Sequence, residues 1–264
     1  MCRWAAYVGK PIYLEDIITR PEHSLVAQSV EASECKTTTN ADGFGVAWYD
    51  DRPEPGLYRD VYPAWSDPNL RSLAHQVKSR LFLSHVRAST GASTSRNNCH
   101  PFAAHNWSFM HNGQVGGFEA FRKAADMAVP EKLYGKRLGG TDSEILFLLA
   151  LGYGLDTNPV AALEKSVAWL EAQSRRVGIT PHMRLSAAFS DGKTLHAARY
   201  SSDRIAPSVY YRYCEKRQGW AIVSEPLEDQ GADWTELAPG RMISVSEDGL
   251  TESEFAPAQF LEAA

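Results

Sequence analysis

The 264-residue sequence has few cysteines, no long hydrophobic run and no excess of charge of one sign. Its four cysteines are widely separated and form no Cys-x-x-Cys pair, which argues against a disulfide framework and predicts reduced thiols. The longest apolar segment, residues 145–155, has eleven residues, whereas a membrane span needs about 20. Because no basic region followed by an apolar stretch opens the chain, we expect no secretory signal and a cytoplasmic location.

The charge balance also excludes several classes of partner. The chain carries 27 basic and 32 acidic residues, a net charge of −5, without a block of like charges. Nucleic acid and anionic membrane surfaces are therefore not expected as partners. The sequence contains neither a glycine fingerprint for dinucleotides nor a phosphate loop, so we predict no cofactor.

What the sequence does contain is a succession of strands, helices and further strands. Short strand-like runs separated by Gly, Asn and Pro turns occupy the first half, and two helical patterns follow near residues 141–155 and 159–170. After Gly178 strands return, with Asp191-Gly192 as a hairpin turn. Because alternating βαβ units are missing, the order predicts a single α+β domain with largely antiparallel sheets.

The first of these helices has a clear N-terminal signal. Thr141-Asp142-Ser143-Glu144 is a capping box, in which Thr141 is the N-cap and Glu144 is expected to reach back to the backbone N–H of Thr141. Asn158-Pro159 predicts the start of the second helix.

Four polar stretches lie at predicted strand ends or turns, and each alone has a simple structural explanation. Arg87 can be a surface arginine, Asn112-Gly113 a tight turn, and Asp142 a carboxylate favoured by a helix dipole. Cys2, directly behind the initiator methionine, need have no function by itself. Together, however, the four fit one reaction.

Removal of Met1 makes Cys2 the N-terminal residue, so that its thiol and a free α-amine belong to one residue. An α-amine has a pKa of roughly 7.7–8, so it can take the thiol proton near neutral pH without a histidine. Attack of the thiolate on an amide carbonyl creates an oxyanion, which the side-chain amide of Asn112 and the backbone N–H of Gly113 can stabilise. Arg87 can bind a carboxylate and Asp142 an ammonium, the two charged ends of an α-amino acid.

This set of residues resembles the class II (N-terminal cysteine) glutamine amidotransferases, which are N-terminal-nucleophile hydrolases. Members carry Cys after Met and four further motifs in a fixed order. The matching segments here are Cys2, His85-Val86-Arg87, Asn98-Cys99-His100-Pro101, His111-Asn112-Gly113 and Thr141-Asp142-Ser143-Glu144. Asn40-Ala41-Asp42-Gly43-Phe44-Gly45 also resembles the Asp-Gly-Trp/Phe-Gly segment of the family. Each motif alone is weak, but the ordered set is specific.

The resemblance implies a four-layer αββα sandwich of two antiparallel sheets between helices, formed by residues 2–264 after removal of Met1. It implies that Cys2 is the nucleophile, that Asn112 and Gly113 form the oxyanion hole, and that Arg87 and Asp142 bind the α-carboxylate and the α-amino group. Ser89 and Thr90 lie where the family often has a hydroxyl in the pocket. Larger synthases often have Arg-Trp at the arginine motif, whereas Ala88 follows Arg87 here.

The predicted function is hydrolysis of the γ-amide of glutamine, through a Cys2 thioester, to glutamate and ammonia. A separate synthase subunit that accepts the ammonia is a conceivable partner. One alternative, similar to the γ-glutamyl hydrolase of the ergothioneine pathway, is cleavage of a larger γ-glutamyl amide. A second is a catalytically silent ligand-binding domain, if Met1 is retained. A transition-metal site at His85, His100, His105 and His111 matches no zinc spacing, and no metal is predicted.

Overall fold

The computed structural model describes residues 2–31, 39–89, 93–228 and 233–257, and its frame is a pair of antiparallel sheets. The first sheet has seven strands in the order β11-β9-β10-β1-β4-β2-β3. Their bounds are β1 Arg3–Tyr13, β2 Phe44–Tyr49, β3 Gly56–Asp60, β4 Lys78–Val86, β9 Tyr210–Cys214, β10 Gly219–Val223 and β11 Thr235–Glu236.

The second sheet has six strands in the order β13-β12-β8-β7-β6-β5. Its strands are β5 Phe102–Ala104, β6 Trp107–Val115, β7 Met183–Ser190, β8 Leu195–Ser201, β12 Arg241–Ser246 and β13 Gly249–Glu254. The hairpin of β7 and β8 turns at Asp191 and Gly192, as the sequence predicts.

Helices cover the outer face of each sheet. Three short helices cover the first sheet, and four lie with the second; their bounds are α1 Glu15–Ile18, α2 Leu25–Val30, α3 Pro68–Gln76, α4 Phe118–Ala128, α5 Glu131–Tyr134, α6 Asp142–Gly152 and α7 Pro159–Val177. Two short 3-10 turns lie at Ala64–Ser66 and Arg96–Asn98. The expected four-layer α+β sandwich of two antiparallel sheets between helices is confirmed.

Three buried clusters hold these layers together, and the alternation of side chains along each strand decides which residue enters which cluster. On β1, Ala5 and Tyr7 face the helices of the first sheet, whereas Trp4 and Ala6 face the second sheet. On β6, Phe109 and Val115 face the helical layer, whereas Met110 faces the first sheet. Even-numbered residues of both strands therefore point into the space between the sheets.

The strand register determines which chain ends meet. On the first sheet β1 pairs with β4 so that Arg3 lies opposite Val86, and the next positions along the same register are Cys2 and Arg87. The indole Nε1 of Trp4 donates a hydrogen bond of 3.1 Å to Ser186 Oγ on β7, whose ladder partner is Asn112. These contacts place Cys2 close to the part of the second sheet that contains Asn112.

Helices α1 and α2 were not predicted, because helices this short have too few residues for a periodic pattern. Longer elements agree with the sequence, and α7 has Asn158 as N-cap, with its side chain accepting from the N–H of Ala161. Among the described residues, no helix combines the length and the apolar character required to cross a bilayer.

Candidate active site

A cleft of about 610 Å³ opens where the ends of β1, β4 and β6 meet the start of α6. It is lined by most residues that the sequence singles out, namely Cys2, Arg87, Ser89, Asn112, Gly113 and Asp142. Thr90 lies outside the described residues. Cys2 and Asp142, which are 140 residues apart in the sequence, thus contribute to one site.

Cys2 lies half-buried on this cleft, one residue before β1 begins. The backbone N–H of Ala88 donates to the Cys2 Sγ at 3.4 Å, and the thiol lies 3.5 Å from the Ala88 carbonyl oxygen. The sulfur is therefore in contact with both the N–H and the carbonyl oxygen of Ala88. Ala88, which sequence reasoning treated only as a departure from the larger synthases, therefore orients the sulfur.

Arg87 is almost fully buried, with 4% of its surface exposed, and its guanidinium donates hydrogen bonds to two neighbouring residues. Its Nη2 donates to Ser89 Oγ at 3.1 Å, and its Nη1 donates to the carbonyl oxygen of Asp42 at 3.3 Å. The Asp42 carboxylate in turn accepts the N–H of Ser89 at 2.7 Å. The Asp-Gly-Phe-Gly segment therefore fixes the arginine and the hydroxyl beside it.

Asn112 and Gly113 lie on the part of β6 that extends beyond its pairing with β5. The Asn112 side chain is buried and faces the first sheet, and its amide has no hydrogen-bond partner among the described residues. The N–H of Val115 points to the unpaired edge, where it donates to Asp142. Because N–H groups two residues apart on a strand point the same way, the N–H of Gly113 also points to that edge.

Only glycine fits at position 113. A Cβ atom there would lie 1.9 Å from the carbonyl oxygen of Arg184 and 2.5 Å from Nε2 of His111. The strand can therefore approach β7 at this point only without a side chain.

Asp142 is the first residue of α6, and its carboxylate is oriented by two backbone N–H groups. Oδ2 accepts from Val115 at 2.9 Å, and Oδ1 accepts from Ser143 at 2.7 Å. The carboxylate also lies at the N-terminus of α6, where the positive end of the helix dipole is. The result is an anion that faces the cleft, a suitable partner for an ammonium group.

Two further motif residues, Thr141 and Glu144, shape the start of α6 and the loop before it. Thr141 caps the helix by accepting the N–H of Glu144 at 3.2 Å, as predicted. The Glu144 carboxylate accepts from the N–H groups of Leu138 and Gly139 instead of Thr141, and pairs with Arg137 at 2.7 Å. That part of the capping-box prediction is wrong, because the buried Arg137 draws the carboxylate toward the preceding loop.

Asn98 fixes the same loop from the other side. Its Oδ1 accepts the N–H of Gly140 at 2.8 Å, and its Nδ2 donates to the carbonyl oxygen of Ser93 at 2.8 Å. Because a Cβ atom at Gly139 would lie 2.5 Å from Asn98 Oδ1, the loop can pass this close only as glycine. The Asn-x-His-Pro motif thus supports the carboxylate of Asp142 indirectly.

Of the three motif histidines, His100 and His111 line the cleft and His85 lies behind it, and all three are uncharged near neutral pH. Burial, with a smaller effect of the Arg87 charge, lowers the pKa of His85 to about 3. Burial also holds the pKa of His100 well below its usual value, and the centroids of the two rings lie 4.3 Å apart with their planes tilted by 33°. Burial lowers the pKa of His111, although Asp142 opposes the shift.

The contacts of His111 follow from its neutral state. Its Nε2 lies 3.1 Å from the carbonyl oxygen of Arg184 and must donate, so its Nδ1 accepts from the Ser143 hydroxyl at 2.9 Å. None of the three imidazoles is therefore suited to take a proton at pH 7.

The remaining cysteines differ in their surroundings. Cys99 is buried, and burial raises the pKa of its thiol to about 11. Cys214 lies half-buried at the end of β9, and Cys35 lies outside the described residues. Among the described side chains, no three His, Cys, Asp or Glu residues are grouped as metal ligands.

The fold is that of the N-terminal-nucleophile type of glutamine amidotransferase, and comparisons with known proteins agree. The sequence model of class II glutamine amidotransferases matches residues 19–212. The chain is 30% identical to the probable glutamine amidotransferase DUG3 of Saccharomyces cerevisiae, over 93% of this chain and 82% of that protein. It is 29% identical to the gamma-glutamyl-hercynylcysteine sulfoxide hydrolase of Mycolicibacterium smegmatis, over 93% of this chain and 96% of that protein.

A solved structure extends the agreement to the fold. A glutamine aminotransferase class-II domain protein from Silicibacter pomeroyi is 59% identical and superposes with a TM-score of 0.78, over 96% of this chain and 99% of that one. The chain therefore belongs to the class II glutamine amidotransferases, a family of enzymes that act on carbon–nitrogen bonds.

Proposed function

We propose that the protein hydrolyses the γ-amide of glutamine, or a γ-glutamyl amide, through a thioester on Cys2. The observation that carries this proposal is the convergence on one cleft of a cysteine thiol, an amide without a partner and two opposite charges, those of Arg87 and Asp142. Such a set matches a substrate with a carboxylate, an ammonium and an amide carbonyl.

In the proposed mechanism Met1 is removed, and the α-amine of Cys2 is the base. It takes the thiol proton, and the Ala88 N–H stabilises the resulting thiolate. The sulfur then forms a bond to the amide carbon, and the carbonyl π electrons move to oxygen. The Asn112 amide and the Gly113 N–H donate to that oxyanion.

Collapse of the tetrahedral intermediate breaks the carbon–nitrogen bond. The leaving nitrogen takes the proton from the α-ammonium of Cys2 and departs as ammonia or an amine. Water, deprotonated by the same α-amine, attacks the thioester, and the S–C bond breaks to release glutamate and regenerate the thiol. Arg87 and Asp142 hold the α-carboxylate and the α-ammonium throughout, and Ser89 holds Arg87 in place.

A larger γ-glutamyl amide is the second candidate. The cleft volume of about 610 Å³ falls within the range of drug-sized ligands, roughly 300–1,000 Å³, and so has room for a leaving group beyond ammonia. Glutamate release from glutamine and from a panel of γ-glutamyl amides distinguishes the two by their kcat/KM values. Delivery of ammonia to a separate synthase subunit and a cytoplasmic location remain predictions.

The mechanism is tested with Cys2→Ala and with Cys214→Ala as a matched control, since Cys214 lies outside the cleft. We expect Cys2→Ala to release no glutamate from any substrate of the panel and Cys214→Ala to match the wild type. Turnover by folded Cys2→Ala would contradict the mechanism. A wild-type protein that releases no glutamate from any amide, and retains Met1, would favour the silent ligand-binding domain.

A further inference from the structure

Cys2 precedes the first residue of the β ladder, so the sheet itself does not fix its conformation. Two rotations of Cys2 decide whether thiol and α-amine can exchange a proton. Rotation about Cα–Cβ sets the position of the sulfur, and the N–H of Ala88 holds the sulfur by a hydrogen bond of 3.4 Å. Rotation about Cα–C sets the position of the α-nitrogen relative to the strand. This angle is fixed only if the Cys2 carbonyl group is held.

Arg3 holds that carbonyl group. Its Nη1 donates to the carbonyl oxygen of Cys2 at 3.1 Å, and its side chain is about 1% exposed. Its Nε donates to Glu225 Oε2 at 2.6 Å, and the Glu225 side chain is 6% exposed. The two residues continue the register that pairs Ala5 with Val223, so the ion pair bridges β1 and the end of β10.

A third element stabilises the pair from behind. The amide Nε2 of Gln28, in α2, donates to the carbonyl oxygen of Glu225 at 3.2 Å and is itself buried. This series of hydrogen bonds therefore runs from Gln28 through Glu225 and Arg3 to the carbonyl oxygen of Cys2. The hydrogen bonds of Gln28 to Glu225 and of Arg3 to Glu225 join buried groups, and the bond of Arg3 to Cys2 is partly buried.

Stability alone does not account for an ion pair at this position. Ala5 and Tyr7, which share the face of Arg3, lie in an apolar cluster, so hydrophobic side chains fit there. Replacing a buried ion pair by packed hydrophobic residues is often neutral or stabilising. The Nη2 of Arg3 is moreover buried without a partner among the described residues, which adds a cost.

We infer that Arg3, held by Glu225, is a positioning residue that fixes the main chain of Cys2 so that the α-amine and the thiol face each other. The inference rests on the proposed function, since only an N-terminal nucleophile needs the angle between its own nitrogen and sulfur. Arg3 touches the carbonyl of Cys2 and not the reacting atoms. Its loss should slow the acylation step and leave substrate binding unchanged.

The test uses the double variant Arg3→Met, Glu225→Met, because Arg3→Met alone would take away the arginine that pairs with the buried carboxylate of Glu225. A second variant, Arg3→Lys, keeps the charge opposite Glu225 but has one nitrogen where arginine uses two. For each protein, inactivation by a glutamine-mimicking diazoketone gives kinact, which reports the chemistry, and KI, which reports binding. Thermal melting reports the fold, and steady-state turnover of the best amide is measured alongside.

We expect kinact and kcat to fall by roughly 10- to 100-fold in both variants, the size of effect that a small misplacement of reacting groups produces. KI is expected to change by less than about threefold, because Arg87 and Asp142 remain. A folded double variant with wild-type kinact would overturn the inference, as would Arg3→Lys with wild-type kinact. A fall in kinact that only accompanies loss of the fold in both variants would also overturn it.

Failure of this inference is separable from failure of the proposed function. If the wild type neither turns over any amide nor reacts with the diazoketone, the proposed function itself is wrong. If the wild type reacts and the variants match it, only the role of Arg3 is wrong.

Discussion

The carboxylate of Asp142 accepts the backbone N–H of Val115 at 2.9 Å, which joins helix α6 to the strand that carries Asn112 and Gly113. This one bond sets the distance between the proposed ammonium site and the proposed oxyanion hole. It also orients the edge of β6, because Gly113 and Val115 expose their N–H groups on the same side. A substrate held by its amino group is thereby brought to the donors that its carbonyl group needs.

The charge of Asp142 can be removed while this bond is kept. In Asp142→Asn an amide oxygen still accepts from Val115, but no anion faces the substrate ammonium. We expect KM to rise by roughly 10- to 100-fold, the value of one charged hydrogen bond, with kcat changed by less than about threefold. Steady-state glutamate release measures both constants, and an unchanged KM would exclude an ammonium at this carboxylate.

Arg87 can be tested with a matched pair of substrates. We expect the wild type to prefer glutamine strongly over 4-aminobutyramide, which lacks the α-carboxylate, and Arg87→Gln to lose most of that preference. Ser89→Ala should lose only a small part, because Ser89 contacts Arg87 through a single hydrogen bond. Equal discrimination by wild type and Arg87→Gln would show that the carboxylate binds elsewhere.

Asn112→Ala should separate chemistry from binding. The amide has no hydrogen-bond partner in the described residues, so its removal breaks no internal bond. We expect kcat to fall by roughly 100- to 1,000-fold, as for other oxyanion donors, and KM to stay the same. Asn106→Ala, whose amide donates to the carbonyl oxygen of Asp191 outside the cleft, is the control for loss of an asparagine. A kcat close to that of the control would refute the oxyanion role.

The buried histidines predict how stability depends on pH. His85 has a pKa of about 3 in the folded state and about 6.5 in the unfolded state, so the unfolded state binds more protons between these values. Stability should therefore fall as pH decreases below 6.5, by about 2 kcal/mol between pH 6.5 and pH 5 for this residue. The free energy of unfolding, measured with urea at several pH values, should depend less steeply on pH in His85→Gln than in the wild type. The difference in slope should correspond to about one bound proton. An identical slope would mean that His85 is protonated in the folded protein.

The cysteines should differ in reactivity. Burial raises the pKa of Cys99 to about 11, whereas Cys2 is half-buried on the cleft and receives the N–H of Ala88. Because the thiolate is the reactive form, we expect iodoacetamide at pH 7.5 to alkylate Cys2 well before Cys99. Peptide mass analysis over time gives both rates, and faster labelling of Cys99 would contradict the assigned environments.

Much of the cleft was predictable because motif residues lie at strand ends, where the chain turns toward the sheet edge. Cys2, Arg87 and Asn112 could be identified from order and residue type, and the structure brings them to one cleft with Asp142. The groups that support these residues could not be identified from the sequence. Ala88 acts through its backbone N–H, which no side-chain pattern reveals.

The ion pair of Arg3 and Glu225 was equally hidden, since 222 residues separate its members and only the register of β1 with β10 joins them. The short helices α1 and α2 were missed because they are held by packing against the first sheet and not by a periodic pattern. Glu144 shows the opposite case, in which a correct local pattern is redirected by a tertiary partner, Arg137.

The central claim is that Cys2 is an N-terminal nucleophile, and intact mass spectrometry tests it most directly. The protein as expressed is weighed before and after incubation with a glutamine-mimicking diazoketone, and the modified peptide is then located. The account predicts a chain that lacks Met1 and gains one adduct, with loss of dinitrogen, on the Cys2 sulfur. A chain that retains Met1, or one that lacks Met1 and forms no adduct on Cys2, would contradict it.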